Sequence, residues 1–318
     1  MKKKNILISA GGTSTAWHIL NVLNKYYKDY FTLFVCDINP EYLIPSSLLA
    51  DKFIKVSPIS SESYKKEMLE IFEKNRIDIF VPLIDYDLHE FLTDDEQLLS
   101  RKVHCTGVSK ASSDILKSKV VWSKKLEENG IPVPFVYNDQ ELKLSQDLEF
   151  FSKPIIGFGS KGAQKVSKQN ALNMLNDKQY IIQQICTSPE ITVEVFNDGK
   201  NIKSICRERI EVKSGVSTKS RVFFDEELHL MASNICEVID MPVSFCFQVM
   251  KDEMDRWVVT DLNPRLGAGT SMSTTCGFSL VRASIVKWGD LPEDPLQYLD
   301  KFEGSKYVTR VYEDILLT

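Results

Sequence analysis

The chain has 318 residues, of which 43% are hydrophobic, 26% charged and 10% aromatic, with 14 Gly and 12 Pro. That composition fits a folded globular protein of two domains, or of one domain with a mobile lobe, and excludes disordered, collagenous and repeat classes. Lys plus Arg number 39 against 44 Asp plus Glu, a formal net charge of −5; with no block of five like charges, neither nucleic acid nor a membrane surface is an expected partner.

The N-terminus starts basic, but its apolar run stops at Ala10-Gly11-Gly12, too short for a secretory signal. No other stretch approaches the ~20 apolar residues that span a bilayer. The seven cysteines (Cys36, Cys105, Cys186, Cys206, Cys236, Cys246 and Cys276) form no C-x-x-C pair and lie near no histidine cluster. Reduced thiols in a cytoplasmic protein are the expectation. His18, His89, His104 and His229 make no metal-binding motif and read as surface or packing residues.

Ile6 to Ser9 reads as a short buried strand. Thr13 to Tyr27 carries Trp17, Leu20, Leu23 and Tyr27 at helical spacing, and Thr32 to Cys36 is a second strand ending at Asp37. A third strand at Phe53 to Val56 precedes a helix from about Ser63 to Lys74, and Ile77 to Leu83 is apolar enough for a parallel strand covered on both faces. This alternation predicts a doubly wound α/β domain. A polar stretch, Ser109 to Asp114, leads into one helix from about Ile115 to Glu128, closed by Asn129-Gly130. Beyond it the strands alternate with Gly, Asp and Asn turns, an α+β region with antiparallel pairing. The expected divisions are 1–112, 113–186 and 187–318.

Gly11-Gly12 follows a strand and opens a helix, with Asp37 ending the next strand, which are three parts of a dinucleotide fingerprint. Ser14 and Trp17 stand where the second and third glycines belong. A structural turn or a small-anion site is therefore favoured over a nicotinamide dinucleotide.

Three stretches carry chemistry. In Val258 to Thr270, Asp261 and Asn263 share a strand face about 7 Å apart, and Arg265 follows a bend at Pro264. With Asp252 opposite Trp257, Gln248 falls opposite Asp261. Gln248, Asp261 and Asn263 would then offer oxygen ligands suited to Mg²⁺ on phosphate, or a solvated hairpin face. In Phe151 to Gly162, Lys153 ends an apolar strand before a loop containing Gly157, Gly159, Ser160, Lys161 and Gly162, a cradle for an anion or a hairpin tip. In Tyr180 to Phe196, a linker at Gln183-Gln184-Ile185-Cys186 precedes a strand with Glu190, Thr192 and Glu194 on one face. Those groups suit an adenine edge and ribose hydroxyls, or simply a solvated face.

In this order the stretches resemble the ATP-grasp superfamily, in its carbamoyl-phosphate-synthetase-like branch, over essentially the whole chain. Asp261-Leu262-Asn263-Pro264-Arg265 resembles the E-x-N-x-R metal motif with Asp for Glu, and Lys119, eleven residues before Gly130, resembles the first nucleotide lysine, with Ser118 in place of an Asp. The resemblance implies a pre-ATP-grasp, Rossmann-like domain followed by a two-lobed ATP-grasp domain divided at the Gln183–Glu190 linker. ATP would be held by Lys119, Lys153, the 157–162 loop closing as a lid, Gln183, Gln184, Ile185 and Glu190. Mg²⁺ or Mn²⁺ would sit on Gln248, Asp261 and Asn263, with Arg265 and Arg209 neutralising the transferred phosphoryl group.

The implied activity is ATP-dependent C–N ligation through an acyl phosphate, with a small carboxylate and an amine as partners. Asp85, Asp87, Arg207, Thr270 and Ser271 are candidate substrate residues. The rivals are an ATP-binding module whose catalysis has decayed, a kinase of small carboxylates or carbamate, and an NAD(P)-dependent oxidoreductase using Gly11-Gly12. The sequence does not fix an oligomeric state.

Overall fold

A computed structural model describes residues 2–157 and 162–317. Its first part is a parallel sheet in the order β3-β2-β1-β4-β5, from β1 (Lys4–Ile8), β2 (Phe31–Asp37), β3 (Lys52–Lys55), β4 (Ile79–Val81) and β5 (His104–Cys105). The helices α1 (Ser14–Tyr26), α2 (Tyr64–Lys74), α3 (Asp85–Glu90) and α4 (Glu96–Ser100) follow its strands. Ile6, Leu7 and Ile8 are fully buried, as a parallel strand covered on both faces requires. On α1 the buried stripe is Ala16, Ile19, Leu20 and Leu23; Trp17, expected within it, is only half-buried.

The helix expected from about 115 to 128 is two helices, α5 (Lys110–Leu116) and α6 (Lys119–Glu127). Ser109 caps the first, and Ser118 caps the second by accepting from the Val121 amide, so the polar stretch leading into the expected helix is itself helical from Lys110. The break puts Lys119 in the first turn of α6.

A small lobe follows: sheet β7-β6-β8, from β6 (Glu149–Pro154), β7 (Gln164–Ser167) and β8 (Tyr180–Gln183), backed by α7 (Asp139–Leu144) and α8 (Lys168–Asn176). Its core is its own: Leu142, Phe150, Val166, Ala171 and Ile182.

The third sheet is antiparallel in the order β13-β12-β9-β10-β11-β14, from β9 (Thr187–Asn197), β10 (Ile202–Lys213), β11 (Val216–Phe223), β12 (Ser244–Lys251), β13 (Trp257–Asn263) and β14 (Ser305–Thr309). One face packs Ile191, Val193, Phe245 and Phe247 against Leu228, Ala232 and Ile235 of α9 (Glu226–Val238), each Val, Leu, Ile or Phe side chain contributing about 1.5–3 kcal/mol on burial. Two further helices, α10 (Thr270–Thr275) and α11 (Leu280–Gly289), lie beyond β13. Val281 and Ile285 of α11 share one core with Ile19, Leu20 and Leu23 of α1, and with Phe196 and Ile205 of the third sheet. The N-terminal sheet and the third sheet are thus joined through α11.

The β12–β13 ladder carries a bulge. Lys251 pairs with Trp257 and Val249 with Val259, yet Gln248 pairs with Asp261, leaving Thr260 as the extra residue. Gln248 is opposite Asp261 as expected, but Asp252 is not opposite Trp257; the bulge makes up the difference. Among the described residues no helix is long and apolar enough to cross a membrane, and all seven cysteines are unpaired thiols.

Candidate functional site

A cavity of about 520 Å³ lies between the small lobe and the third sheet. Alternation on β6 builds one wall: Phe150 and Ser152 are fully buried on one side, while Phe151 and Lys153 turn to the cavity. Lys165 of β7 joins them, since its neighbour Val166 takes the core side. Gln183, Ile185 and Cys186 line the linker end, with Met250 and Val212 adding apolar surface.

Lys153 is 7% exposed, and its Nζ donates to the Thr260 carbonyl at 2.7 Å, the carbonyl of the bulged residue. Burial, opposed by Asp261 and reinforced by Lys119, brings its ammonium down to about 8. Trp122 of α6 lies beside it, 5.7 Å from Nζ to ring centroid. Lys119 docks on the same loop from the other side, its backbone amide donating to Ile155 O at 3.0 Å and its Nζ to Gly157 O at 2.8 Å. Two cations from separate elements therefore flank the start of the 157–162 loop. Gly162 has φ +78, a conformation that glycine adopts freely, whereas the expected ligands Gly159, Ser160 and Lys161 lie outside the described residues.

The opposite wall is the third sheet. Glu190 on β9 pairs with Arg209 on β10, and the Gln248 amide spans the pair, donating to Glu190 Oε1 at 3.2 Å and accepting from Arg209 Nη1 at 2.9 Å. Arg209 is further held by the Gly215 carbonyl at 2.9 Å. At the end of β13, Asn263 Nδ2 donates to Asp261 Oδ2 (2.9 Å), Arg265 Nη2 donates to Asn263 Oδ1 (3.3 Å), and Arg265 Nε donates to Asp85 Oδ1 on α3 (2.7 Å). A narrow crevice lined by Asp85, Tyr86, Lys119, Asp261 and Asn263 connects this array to the main cavity.

One carboxylate and one amide oxygen beside two lysines suit Mg²⁺, which binds through few protein oxygens and completes its shell with phosphate and water. Among the described residues no group of three or more His, Cys, Asp or Glu forms a cage for a metal by itself. Asp261 and Asn263 fit such a site. Gln248, bonded to Glu190 and Arg209, would have to release Arg209 to join them, as Asn263 would have to release Arg265.

Several expected residues lie elsewhere. The Gln184 side-chain oxygen accepts from the Phe135 amide at 3.0 Å while the Gln184 backbone N–H donates to Phe135 O at 2.9 Å, so the residue fastens the linker to the preceding segment and does not line the cavity. Arg207, 3% exposed, is bonded to Glu194 (3.2 Å) and Ser217 (2.9 Å), and a Cβ on Gly269 would come within 2.0 Å of its Cζ. That glycine is required because the loop lies flat on the guanidinium. Thr270 is buried, its hydroxyl donating to Gly267 O at 2.7 Å, and Ser271 accepts from Arg310 at 3.4 Å. Glu194 is fully buried, so the solvated face allowed for this strand is not present there. Asp87 turns to the start of α2, where its Oδ1 accepts from the Tyr64 hydroxyl at 2.7 Å.

The glycine turn does not present its donors to a pyrophosphate. The Gly12 amide donates to Asp37 Oδ2 at 2.8 Å, and the Ala16 amide is taken by the Thr13 hydroxyl at 3.1 Å. Sequence reasoning missed Phe151, Lys165, Trp122 and the Thr260 carbonyl. Two-residue alternation from Lys153 and Val166 could have found the first two; the others depend on contacts across lobes.

The fold has known counterparts. N5-carboxyaminoimidazole synthetase from Staphylococcus aureus, solved with ADP, is 15% identical with a TM-score of 0.71, covering 93% of this chain and 80% of that one. The biotin carboxylase domain of 2-oxoglutarate carboxylase from Hydrogenobacter thermophilus, solved with MgADP, ADP and bicarbonate, is 12% identical with a TM-score of 0.75, covering 96% and 74%. Biotin carboxylase from Campylobacter jejuni, in a βγ-ATP complex, is 17% identical with a TM-score of 0.74, covering 96% and 75%. At these identities the likeness is one of fold. No curated protein matches the chain. Residues 6–106 match the family model of the PylC-like N-terminal domain, and residues 116–269 match that of the ATP-grasp domain. Residues 116–269 are thus an ATP-grasp domain by their family model, preceded by a PylC-like N-terminal domain at 6–106.

Proposed function

We propose that the protein is an ATP-dependent ligase that phosphorylates a small-molecule carboxylate and joins the resulting acyl phosphate to an amine. The observation that carries this reading is the convergence of Lys119 and Lys153 with Asp261 and Asn263 on a cavity and an adjoining crevice, with Arg265 bonded to Asn263 behind them. Phosphoryl transfer needs positioning and charge neutralisation more than a covalent nucleophile, and that is what these side chains supply. The S. aureus and H. thermophilus counterparts, solved with ADP or MgADP, support a nucleotide in the cavity.

In the first step a substrate carboxylate oxygen attacks the γ-phosphorus and the bond to the β-phosphate oxygen breaks, releasing ADP. In the second, the amine nitrogen attacks the acyl carbon, inorganic phosphate leaves, and the nitrogen loses a proton. Lys119 and Lys153 hold the nucleotide phosphates, with Phe151, Ile185 and Met250 against the base and Glu190 toward the ribose. Arg265, oriented by Asp85, faces the group in transfer; Arg209, fixed by Glu190 and Gln248, lies on the sheet side. Mg²⁺ held by Asp261 and Asn263 would supply further neutralisation of phosphate charge. The small lobe, with its separate core, serves as the lid that keeps water from the acyl phosphate. Seven unpaired thiols support a reducing, cytoplasmic setting.

The test is ADP release across a matrix of carboxylates and amines with Mg-ATP, with hydroxylamine trapping the acyl phosphate. Asp261→Ala is expected to lower ATP turnover by about 100-fold or more. Full turnover in that variant, or no ADP from any pair, would overturn the reading; nucleotide binding without ADP release would leave a decayed ATP-binding module.

A further inference from the structure

The third sheet ends on β14, and among the described residues nothing pairs with the outer edge of that strand. An open edge is ordinarily blunted by proline or by charged side chains held over it. Residues 305–317 contain no Pro. The two basic side chains of the segment are turned back onto their own chain: Lys306 Nζ donates to the Cys276 carbonyl at 2.6 Å, and Arg310 donates to the Ala268 carbonyl. Tyr307, Thr309 and Val311 are left in solvent, with Tyr307 72% and Val311 86% exposed.

The backbone is offered on the same residues. The Arg310 N–H donates to the Thr218 carbonyl at 2.8 Å, continuing the β11–β14 ladder. By antiparallel alternation, Lys306, Val308 and Arg310 then bond to β11, while Tyr307, Thr309 and Val311 direct N–H and C=O to the open edge.

We propose that this edge is a self-pairing surface, on which β14 and the residues after it lie antiparallel to the same segment of a second copy, with a two-fold axis between the two Thr309 residues. The sequence favours that partner and that register. A two-fold axis normal to a sheet keeps every residue on its own face, so a slip by one residue is ruled out by the pleat. With Thr309 opposite Thr309, Tyr307 falls opposite Val311 twice over; Thr–Thr and aromatic–β-branched pairs are both favourable across strands. On the other face Lys306 falls opposite Tyr312 and diagonal to Asp314. Placing Val308 on the axis instead would set Lys306 opposite Arg310, and placing Arg310 there would set it opposite its own copy; like charges directly opposite are destabilising. The pairing is independent of the ligase reading, because β14 lies at the far edge of the sheet from β13, which carries Asp261 and Asn263.

So short an interface is expected to give a dissociation constant of about 1–100 µM, measured on the full chain by sedimentation velocity across that range. Thr309→Lys sets two ammonium groups across the axis at an exposed position, and is expected to weaken association by about tenfold or more with thermal unfolding unchanged. Register is read by oxidation. Thr309→Cys is expected to form a disulfide with the second copy, because paired Cα atoms there are about 5.5 Å apart. Tyr307→Cys is expected to form none with its own copy, since the register sets the two about four residues apart along the strand. Peptide mass spectrometry separates these links from any at the native thiols. A monomer throughout the range, a dimer indifferent to Thr309→Lys, or a link at 307 in place of 309 would each overturn the proposal. Should Thr309→Lys lower the unfolding temperature, the two cysteine variants decide alone.

Discussion

Two carboxylate–arginine pairs lie side by side on β9 and β10, built from the same residue types on the same face. Glu190–Arg209 opens onto the nucleotide cavity, with side chains 31% and 8% exposed; Glu194–Arg207 is sealed at 0% and 4%. What separates them is what lies above the sheet. Over the first is the cavity; over the second is the Gly267–Thr270 turn, pressed onto the guanidinium where Gly269 lacks a side chain. Position relative to that turn, and not residue type, makes one pair part of the site and the other part of the framework.

Substitution should separate the pairs sharply. Arg207→Met leaves the Glu194 carboxylate buried without its partner and is expected to cost about 3–5 kcal/mol, read as a lower urea midpoint at unchanged m-value. A loss below about 1 kcal/mol would show that the sealed pair does not hold the fold. Arg209→Met should keep stability near that of the parent, because Glu190 is open to water, but reduce ADP formation by about 100-fold. If both variants lose stability equally, the distinction between the pairs collapses.

Smaller effects sharpen the picture on the cavity side. With its ammonium near 8, Lys153 is mainly charged below that pH and mainly neutral above it. Mg-ATP affinity in equilibrium titrations should therefore weaken by up to about tenfold from pH 7 to 9, and Lys153→Arg should flatten that dependence. The smallest change is expected from Asp85→Asn, whose partner Arg265 keeps its contact with Asn263: stability should move by no more than about 1 kcal/mol in thermal unfolding.

How much of this could be read from the chain follows from the range of the interactions. The N-terminal sheet, Lys153 and the Asp261–Asn263–Arg265 order rest on local alternation and spacing, and Lys119 on the family resemblance; Lys119, Lys153 and Asp261 line one cavity. The split of the 110–127 helix was legible in principle, since Ser118 is a good cap, but continuous helical periodicity masked it. The turn of Gln184 toward Phe135, the sealing of Arg207 by residues some sixty positions downstream, and the core shared by α1 and α11 depend on contacts that no local pattern encodes. The β12–β13 register lies between these cases. Its outcome at Gln248 and Asp261 was foreseeable, but the means was not, because the odd spacing of Val259 and Leu262 tells of a bulge only once both are known to face the same core.

That extra residue links two features of the site. Val259 and Leu262 both pack into the sheet core although they are three positions apart, which an uninterrupted strand would not permit. Without the offset at Thr260, Asp261 would share Val259's side and lie among apolar side chains. Shortening the strand by that residue would restore simple alternation and keep Asp261 outward, yet it would remove the carbonyl that tethers Lys153. A single inserted position thus supplies an anchor for the lysine while leaving the acid in phase, and a length change at residue 260 would bear on the small lobe's grip before it bore on the acid.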